Sequence, residues 1–387
     1  MSKESDGRAA FNPHRLRVAR QRRGLTKEAL AGRCGVTRRT VTDWEAGKVE
    51  TPPVEAIAEA LGFPVGFFFR GDLDDVRVDA VSFRALTTTT KRQVHKVLAA
   101  ASLIGSFSSW MDENFRTPPP DVPGYQELRP PGSEPSPVEV AEALRARWGL
   151  GVRPVTDMLA LVESRGVRIF GLPPEEREVD AFSYWHGARP LIFLNVAKSA
   201  ERLRFDLAHE LGHLCMHRGV TTSRARRFEI DANAFASAFL MPHQGVARQL
   251  RSTVLLADVF TLKRHWKVSA TAMVRRLWQL GRITPWQYRS WMVELSQRGF
   301  RGSEPDGLPH EQSILLRKVM VLARKEGWGL AALAARLGIP AAELSAAVAG
   351  LTLTPVPGPS GGNGRAAART AGRQAGAPVG PGLHLVE

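Results

Sequence analysis

The sequence has little cysteine and no long apolar run, and both shortages narrow the class of protein. Among 387 residues the two cysteines are Cys34 and Cys215, which excludes a disulfide framework and a structural zinc site built from cysteine alone. The longest apolar stretch, around residues 97–107, is too short to span a bilayer. The N-terminus has no apolar segment of the kind that directs export. We therefore expect a cytoplasmic protein with no membrane contact.

Basic residues exceed acidic ones, and the excess is unevenly distributed. The 53 Lys+Arg and 38 Asp+Glu give a formal net charge of +15. Residues 1–70 carry +5 and residues 246–310 carry +7, whereas residues 131–245 carry no net charge. The positive balance indicates nucleic acid, an acidic partner or simply a basic proteome, and composition alone does not choose among these.

Apolar periodicity, together with glycine and proline, divides the chain into five segments. The length favours two or three domains, and the predicted class is α+β, mostly α. The segments are an all-α domain (10–71), a connecting helix with a proline-rich linker (72–137), a mixed core (138–245), a helical extension (246–353) and a disordered tail (354–387). Within the core, VRIFGL is predicted as a strand, and VDAFSYW and PLIFLN as the two arms of a hairpin.

The sharpest chemical signal is the motif His209-Glu210-Leu211-Gly212-His213. On a helix, residues four apart share a face, so the two imidazoles can bind one metal ion. Glu210 is then placed beside the metal, where it can take a proton from a zinc-bound water and pass it to the leaving amine. A solvated helix face would be the plain alternative, but the apolar neighbours of the motif predict a buried helix. Buried imidazoles and a carboxylate need partners, so we interpret the motif as a zincin site.

A zincin site needs a third protein ligand, and Glu229 in FEIDANAFASAFLMP is the candidate. Asn233 lies one turn further on. It is expected to form a hydrogen bond to a metal-binding histidine or to fix the helix, and so to support the ligands without binding the metal. Asp231 competes for the ligand position but points to another side of the same helix. His217 also competes, yet it is too far along its helix to share a metal with His209, so we expect it to pack near the site.

The run from VDAFSYWHGARPLIFLN through KSAERLRFDLAHELGHLCMH to FEIDANAFASAFLMP resembles the ImmA/IrrE metallopeptidase family, over roughly residues 150–245. The resemblance implies a minimal zincin fold, a small β-sheet plus the HExxH helix, with zinc at His209, His213 and Glu229 and Glu210 as general base. It also implies cleavage of a regulatory DNA-binding protein in a bacterium. By analogy with that fold, the strand PLIFLN would line the cleft and pair with the substrate backbone.

Residues 14–70 resemble the lambda-repressor-like (Cro/C1-type, XRE) helix-turn-helix. Thr26 is expected to cap the first helix of the motif and Thr37 the recognition helix, with Gly35 in the turn. Glu45 is expected to pair with Arg17 as a brace. The alternative for this segment is a helical protein-interaction module with a solvated basic face.

Contacts to DNA are expected from polar residues on the exposed side of this motif, since arginine suits guanine and threonine or lysine suits phosphate. They are Lys27, Thr37, Arg38, Arg39 and Thr42. Repressor-type domains usually bind two half-sites as dimers, so a homodimer is a candidate assembly. For the basic extension after residue 245, which is also helix-turn-helix-like, three roles stay open: binding the substrate repressor, contacting DNA or bracing the metal site.

Three functions fit these features. The first is a zinc-dependent endopeptidase that cleaves a transcriptional repressor or related regulator and is tethered by its own helix-turn-helix. The second is a transcriptional regulator whose peptidase-like core senses a ligand or partner with little or no proteolysis. The third is autoproteolysis that removes the helix-turn-helix at the proline-rich linker. The complete His-Glu-x-x-His motif favours the first, because a pure sensor does not need Glu210.

Overall fold

A computed structural model describes residues 10–76, 90–128, 136–176, 178–218, 225–250, 252–300, 304 and 306–352. These residues form helices around one small three-stranded sheet, which confirms the α+β, mostly α, class. The predicted disordered tail, residues 354–387, lies outside the described residues. No helix in the described ranges is both long and apolar enough to cross a membrane.

The helices of the described residues fall into three groups along the chain. The N-terminal ones are α1 (Pro13–Arg22), α2 (Lys27–Cys34), α3 (Arg38–Glu45), α4 (Val54–Leu61) and α5 (Lys91–Asn114). The central ones are α6 (Pro137–Arg147), α7 (Met158–Ser164), α8 (Ala200–Met216), α9 (Ala225–Leu240) and α10 (His243–Ala247). The C-terminal ones are α11 (Leu256–Trp266), α12 (Ala270–Gln279), α13 (Pro285–Gln297), α14 (Ile314–Lys325), α15 (Leu330–Leu337) and α16 (Ala341–Val348). Short 3-10 helices cover Val65–Phe69 and Tyr125–Glu127.

Helices α2 and α3 form the helix-turn-helix with the expected local chemistry. Thr26 Oγ1 accepts from the Ala29 N–H at 3.1 Å, and Thr37 Oγ1 accepts from the Thr40 N–H at 3.2 Å. Gly35 adopts the left-handed conformation (φ 67°) that the turn requires and that a side chain would disfavour. The caps and the turn together fix the angle at which α3 leaves α2.

The brace on Glu45 comes from a different arginine than predicted. Glu45 pairs with Arg20, which donates to it at 2.5 Å and 3.2 Å, and Lys27 Nζ lies 3.3 Å from the same carboxylate. Arg17 instead lies 3.5 Å from Asp75. The prediction was wrong by three positions because both arginines lie on neighbouring faces of α1, and the sequence pattern does not fix which face meets α3.

The sheet consists of β1 (Arg168–Gly171), β2 (Ala181–His186) and β3 (Arg189–Leu194), in the order β1-β3-β2. Strands β2 and β3 form the predicted hairpin, whereas β1 pairs with β3 in parallel. The expectation that PLIFLN takes up the substrate backbone is therefore wrong. This segment is β3, and both of its edges already carry hydrogen bonds to neighbouring strands.

The sheet lies between two long buried helices. On one face Ser183 Oγ reaches α8, where it contacts Glu210. On the other face the Tyr184 hydroxyl donates to the Ala101 carbonyl of α5 at 3.2 Å, and His186 Nε2 lies 3.0 Å from Ser109 Oγ of the same helix. Alternate residues of β2 thus contact opposite helices, and α5 supports the strand that borders α8.

Part of the proline-rich segment packs against the mixed core. The Asp121 N–H donates to the Arg165 carbonyl at 2.9 Å, and Phe115 is buried. A Cβ on Gly166 would lie 2.3 Å from the Pro119 carbonyl oxygen, so this approach needs glycine. The described part of the segment is therefore held against the end of the sheet.

The helix-turn-helix is joined to the rest of the chain through a partly buried cluster of charges, which we call the Arg22 cluster: Arg22, Arg23, Lys96, Glu175, Glu176 and Glu343. Arg22 Nε donates to Glu343 Oε2 at 2.7 Å, and both side chains are only about 4% exposed. Lys96 of α5 lies 2.7 Å from Glu176, in the loop before β2. The cluster connects α1, α5, that loop and α16.

Candidate metal centre and DNA-binding surface

Helix α8 brings His209 and His213 together at the buried side that faces α9. Both side chains are buried, and their Nε2 atoms are 3.1 Å apart. The helix is anchored by Arg204, which donates to the Val155 carbonyl at 2.7 Å and to the Lys267 carbonyl at 2.9 Å. The i, i+4 spacing therefore produces the convergence that the motif predicts.

Glu229 reaches the same point from α9. Its two carboxylate oxygens lie 3.3 Å from His209 Nε2 and 3.2 Å from His213 Nε2. Burial alone would raise the pKa of Glu229, but the two neighbouring imidazoles outweigh burial and lower it to about 2. The carboxylate is therefore ionised and available as a ligand.

The donor set fits a zinc ion. Among the described residues, His209, His213 and Glu229 form a group of potential metal ligands whose ligand atoms all lie within 4.8 Å of one another. In a tetrahedral site with bonds of about 2.0–2.2 Å, ligand atoms lie about 3.3–3.6 Å apart, close to the separations seen here. Both Glu229 oxygens are buried, and in the described part of the chain they have no partner with hydrogen-bond geometry. A metal cation bound between this carboxylate and the two imidazoles would compensate its buried negative charge.

Glu210 is held by a residue that sequence reasoning missed. Ser183 of β2 donates from Oγ to Glu210 Oε2 at 2.7 Å, and both side chains are buried. The serine was missed because it lies 27 residues before Glu210 in the sequence. A polar residue at that position also fits the usual alternation of polar and apolar residues in a strand. Its position on the α8 face of the hairpin is the signal that could have found it.

The close approach of α8 and α9 depends on a glycine of the motif. A Cβ on Gly212 would lie 2.9 Å from the Phe235 ring of α9, so any larger residue would push that ring away. On α9 itself, Asn233 Nδ2 donates to the Glu229 carbonyl at 2.7 Å. Asp231 pairs with Arg227 at 3.0 Å, away from the metal centre.

His217 lies next to the centre without joining the ligand group. Its Nδ1 is 2.9 Å from His213 Nδ1, and its ring packs on Phe228 with 4.4 Å between centroids. Burial and the nearby His213 lower the pKa of His217 to about 3, so its imidazole is neutral. Cys215 is buried among apolar side chains, and burial raises the pKa of its thiol.

Four of the five predicted DNA contacts are exposed, on or next to the recognition helix α3. Thr37, Arg38, Arg39 and Thr42 are exposed at the N-terminal half of α3. The Arg39 side chain is 91% exposed and approaches Asp43 only at 4.0 Å. Lys27 is half-buried because its ammonium group pairs with Glu45.

The fold and the ligand group define a metallopeptidase-like domain behind a helix-turn-helix. Comparison with known families agrees: residues 162–278 match the IrrE N-terminal-like domain of peptidase family M78, and residues 14–66 match a helix-turn-helix domain. The chain thus has the ImmA/IrrE-type peptidase domain fused to an XRE-like DNA-binding domain. The first match runs through α11 and α12, so it includes part of the basic extension. No curated protein matched the chain.

Proposed function

We propose that this chain is a zinc-dependent endopeptidase that cleaves a transcriptional repressor or related regulator. The observation that carries the proposal is the convergence of His209, His213 and Glu229 at one buried point. The match to an M78 peptidase domain supports hydrolysis of a peptide bond. The helix-turn-helix supports a regulatory substrate, since it places the peptidase domain in a DNA-binding protein.

Each side chain of the centre has a distinct task in this reaction. Zinc held by the three ligands would supply Lewis acidity toward the scissile carbonyl and lower the pKa of the attacking water. Glu210 takes the proton from that water and gives it to the leaving amine. Ser183, by its hydrogen bond to Oε2, keeps the Glu210 carboxylate in one orientation.

The substrate backbone would be bound at the outer edge of β2. No described strand pairs with that edge, and Ser183 places the strand directly beside Glu210. Trp185 lies on the same face, with the Arg218 guanidinium 3.9 Å from its ring centroid. An extended peptide added there would have its backbone satisfied by the strand and its side chains next to this aromatic residue.

DNA binding does not require the helix-turn-helix to leave the peptidase domain. Helix α1 and its Arg22 face the rest of the chain, whereas Arg38 and Arg39 of α3 are exposed. The DNA-binding surface and the metal centre can therefore be used by one and the same conformation.

The test compares the wild type with Glu210→Gln and Glu229→Ala, using zinc content and cleavage of the helix-turn-helix repressors encoded near its gene. We expect Glu210→Gln to keep zinc and lose cleavage, and Glu229→Ala to lose both. Wild-type protein without zinc, or equal cleavage by Glu210→Gln, would refute the proposal. Bound zinc without cleavage of any repressor would favour the alternative, a regulator whose peptidase-like core is a ligand or partner sensor.

A further inference from the structure

His217 contacts His213 on the side that faces away from the metal centre. It is the C-cap residue directly after α8, and its Nδ1 lies 2.9 Å from His213 Nδ1. His213 Nε2 faces the opposite way, toward His209 Nε2 at 3.1 Å and Glu229 at 3.2 Å. The two ring nitrogens of His213 are therefore divided between the centre and His217.

This division fixes where the proton of His213 must be. A neutral imidazole has one donor nitrogen and one acceptor nitrogen. A metal ligand uses the nitrogen with the free electron pair, which here is Nε2, so the proton is on Nδ1. That N–H then donates to His217 Nδ1, and His217 carries its own proton on Nε2.

The ring of His217 is held in place by the helix that supplies the third ligand. Phe228 packs against it with 4.4 Å between centroids and an interplanar angle of 32°. Phe228 directly precedes Glu229, so α9 brings a ligand and the support for this ring to the centre together. For His209 the situation differs, because its buried Nδ1 has no hydrogen-bond partner among the described residues.

We infer that His217 is a positioning residue that fixes the tautomer and ring orientation of His213 for metal binding. The inference rests on the proposed zinc site and extends it to a residue outside the ligand group. Partners of this kind orient a ligating histidine, and their loss typically weakens metal binding by about 10–100-fold. With no comparable acceptor on His209, His213 would be the better-ordered of the two histidine ligands.

Two substitutions in the full-length protein separate the hydrogen bond from the ring packing. His217→Phe keeps a ring against Phe228 and removes the acceptor, whereas His217→Asn places an amide oxygen near the position of Nδ1 and removes most of the ring. Zinc affinity is measured by competition with a chromogenic chelator. We expect His217→Phe to bind zinc about 10–100-fold more weakly and His217→Asn to stay within about threefold of wild type. Thermal unfolding of the metal-free His217→Phe protein serves as the control for folding.

The same preparations give a spectroscopic check. Long-range proton–nitrogen correlation spectra of the zinc-loaded wild type should show His213 protonated at Nδ1. Wild-type zinc affinity in His217→Phe, equal losses in both variants, or a proton on His213 Nε2 would overturn the inference. A protein that binds zinc but cleaves nothing would refute the proposed proteolysis and leave this inference intact. A wild type that binds no zinc would refute both.

Discussion

Ser183 Oγ lies 2.7 Å from Glu210 Oε2, so the middle of strand β2 is bonded to the carboxylate that we assign as general base. Removing this hydroxyl leaves a buried carboxylate oxygen without that donor and lets the side chain reorient. For Ser183→Ala we expect kcat for repressor cleavage to fall by about tenfold, with zinc content unchanged.

The matched control is Ser183→Thr, which keeps a hydroxyl at the same position on the strand and should recover most of the activity. The measurement is steady-state cleavage together with metal analysis of each variant. Equal kcat for wild type and Ser183→Ala would show that Glu210 needs no support from β2.

The Arg22 cluster gives a prediction about stability. Arg22 is about 4% exposed and pairs with Glu343 and Glu175, each at 2.7 Å. Arg22→Ala would leave the buried Glu343 with Arg23 as its remaining partner, 2.8 Å away, so the free energy of unfolding should fall by about 2 kcal/mol. The difference in the free energy of unfolding between wild type and variant is measured by urea unfolding followed by fluorescence. A change of under about 0.5 kcal/mol, typical of surface substitutions, would contradict it.

Arg39 lies in the same domain as Arg22 but is exposed. Its substitution should therefore affect DNA affinity and leave stability nearly unchanged. Its side chain is 91% exposed on α3, so Arg39→Ala should leave stability within about 0.5 kcal/mol of wild type. If Arg39 contacts DNA, affinity should fall by about 1–3 kcal/mol. The probe is a duplex selected from a random library by the wild-type protein, with binding measured by fluorescence anisotropy. Unchanged affinity in both Arg39→Ala and Arg38→Ala would argue for a protein-interaction module.

The buried carboxyl group of Glu163 should make the free energy of unfolding depend on pH. Burial raises the pKa of Glu163 to about 7, even though the Leu315 N–H donates to it at 3.1 Å and the Ser313 hydroxyl also bonds to it. Between its ordinary value of 4.5 and about 7, the folded carboxyl keeps a proton that the unfolded chain has lost. The folded state then binds more protons, so the free energy of unfolding falls as pH rises through this window.

Glu163→Gln removes this dependence because the amide cannot ionise. Relative to wild type, the variant should gain on the order of 3 kcal/mol in unfolding free energy between pH 4.5 and pH 8. Urea unfolding of both proteins at a series of pH values measures the difference. A difference that stays constant with pH would mean that Glu163 has an ordinary pKa in the folded protein.

Local patterns were enough to predict the elements that build the centre. The i, i+4 spacing of His209 and His213 and the amphipathic helix of Glu229 depend on residues close in sequence. Helical geometry then places the residues of each helix that share this spacing on one face. The hairpin of β2 and β3 follows from alternation on both sides of a tight turn. The caps of α2 and α3 follow from threonines at the expected positions.

Long-range relationships could not be predicted in the same way. The parallel pairing of β1 with β3, which makes PLIFLN the central strand, depends on a crossover that alternation does not encode. Arg22 and Glu343 are 321 residues apart, and neither belongs to a recognisable motif. Ser183 is distinguished from other serines in strands only by its contact with Glu210 of α8. This contact depends on how the strand packs against the helix, so it could not be predicted from the sequence.

The Arg22 cluster has a consequence for self-cleavage in the proline-rich segment. A cut between residues 116 and 137 would break the chain after α5, yet α5 would still lie under the sheet and Arg22 would still be bonded to Glu343. The two pieces should therefore elute together in size-exclusion chromatography after the segment is cleaved by an added protease. A severed chain of this kind would remain one particle that still carries its DNA-binding surface, so hydrolysis there would not by itself take the protein off an operator.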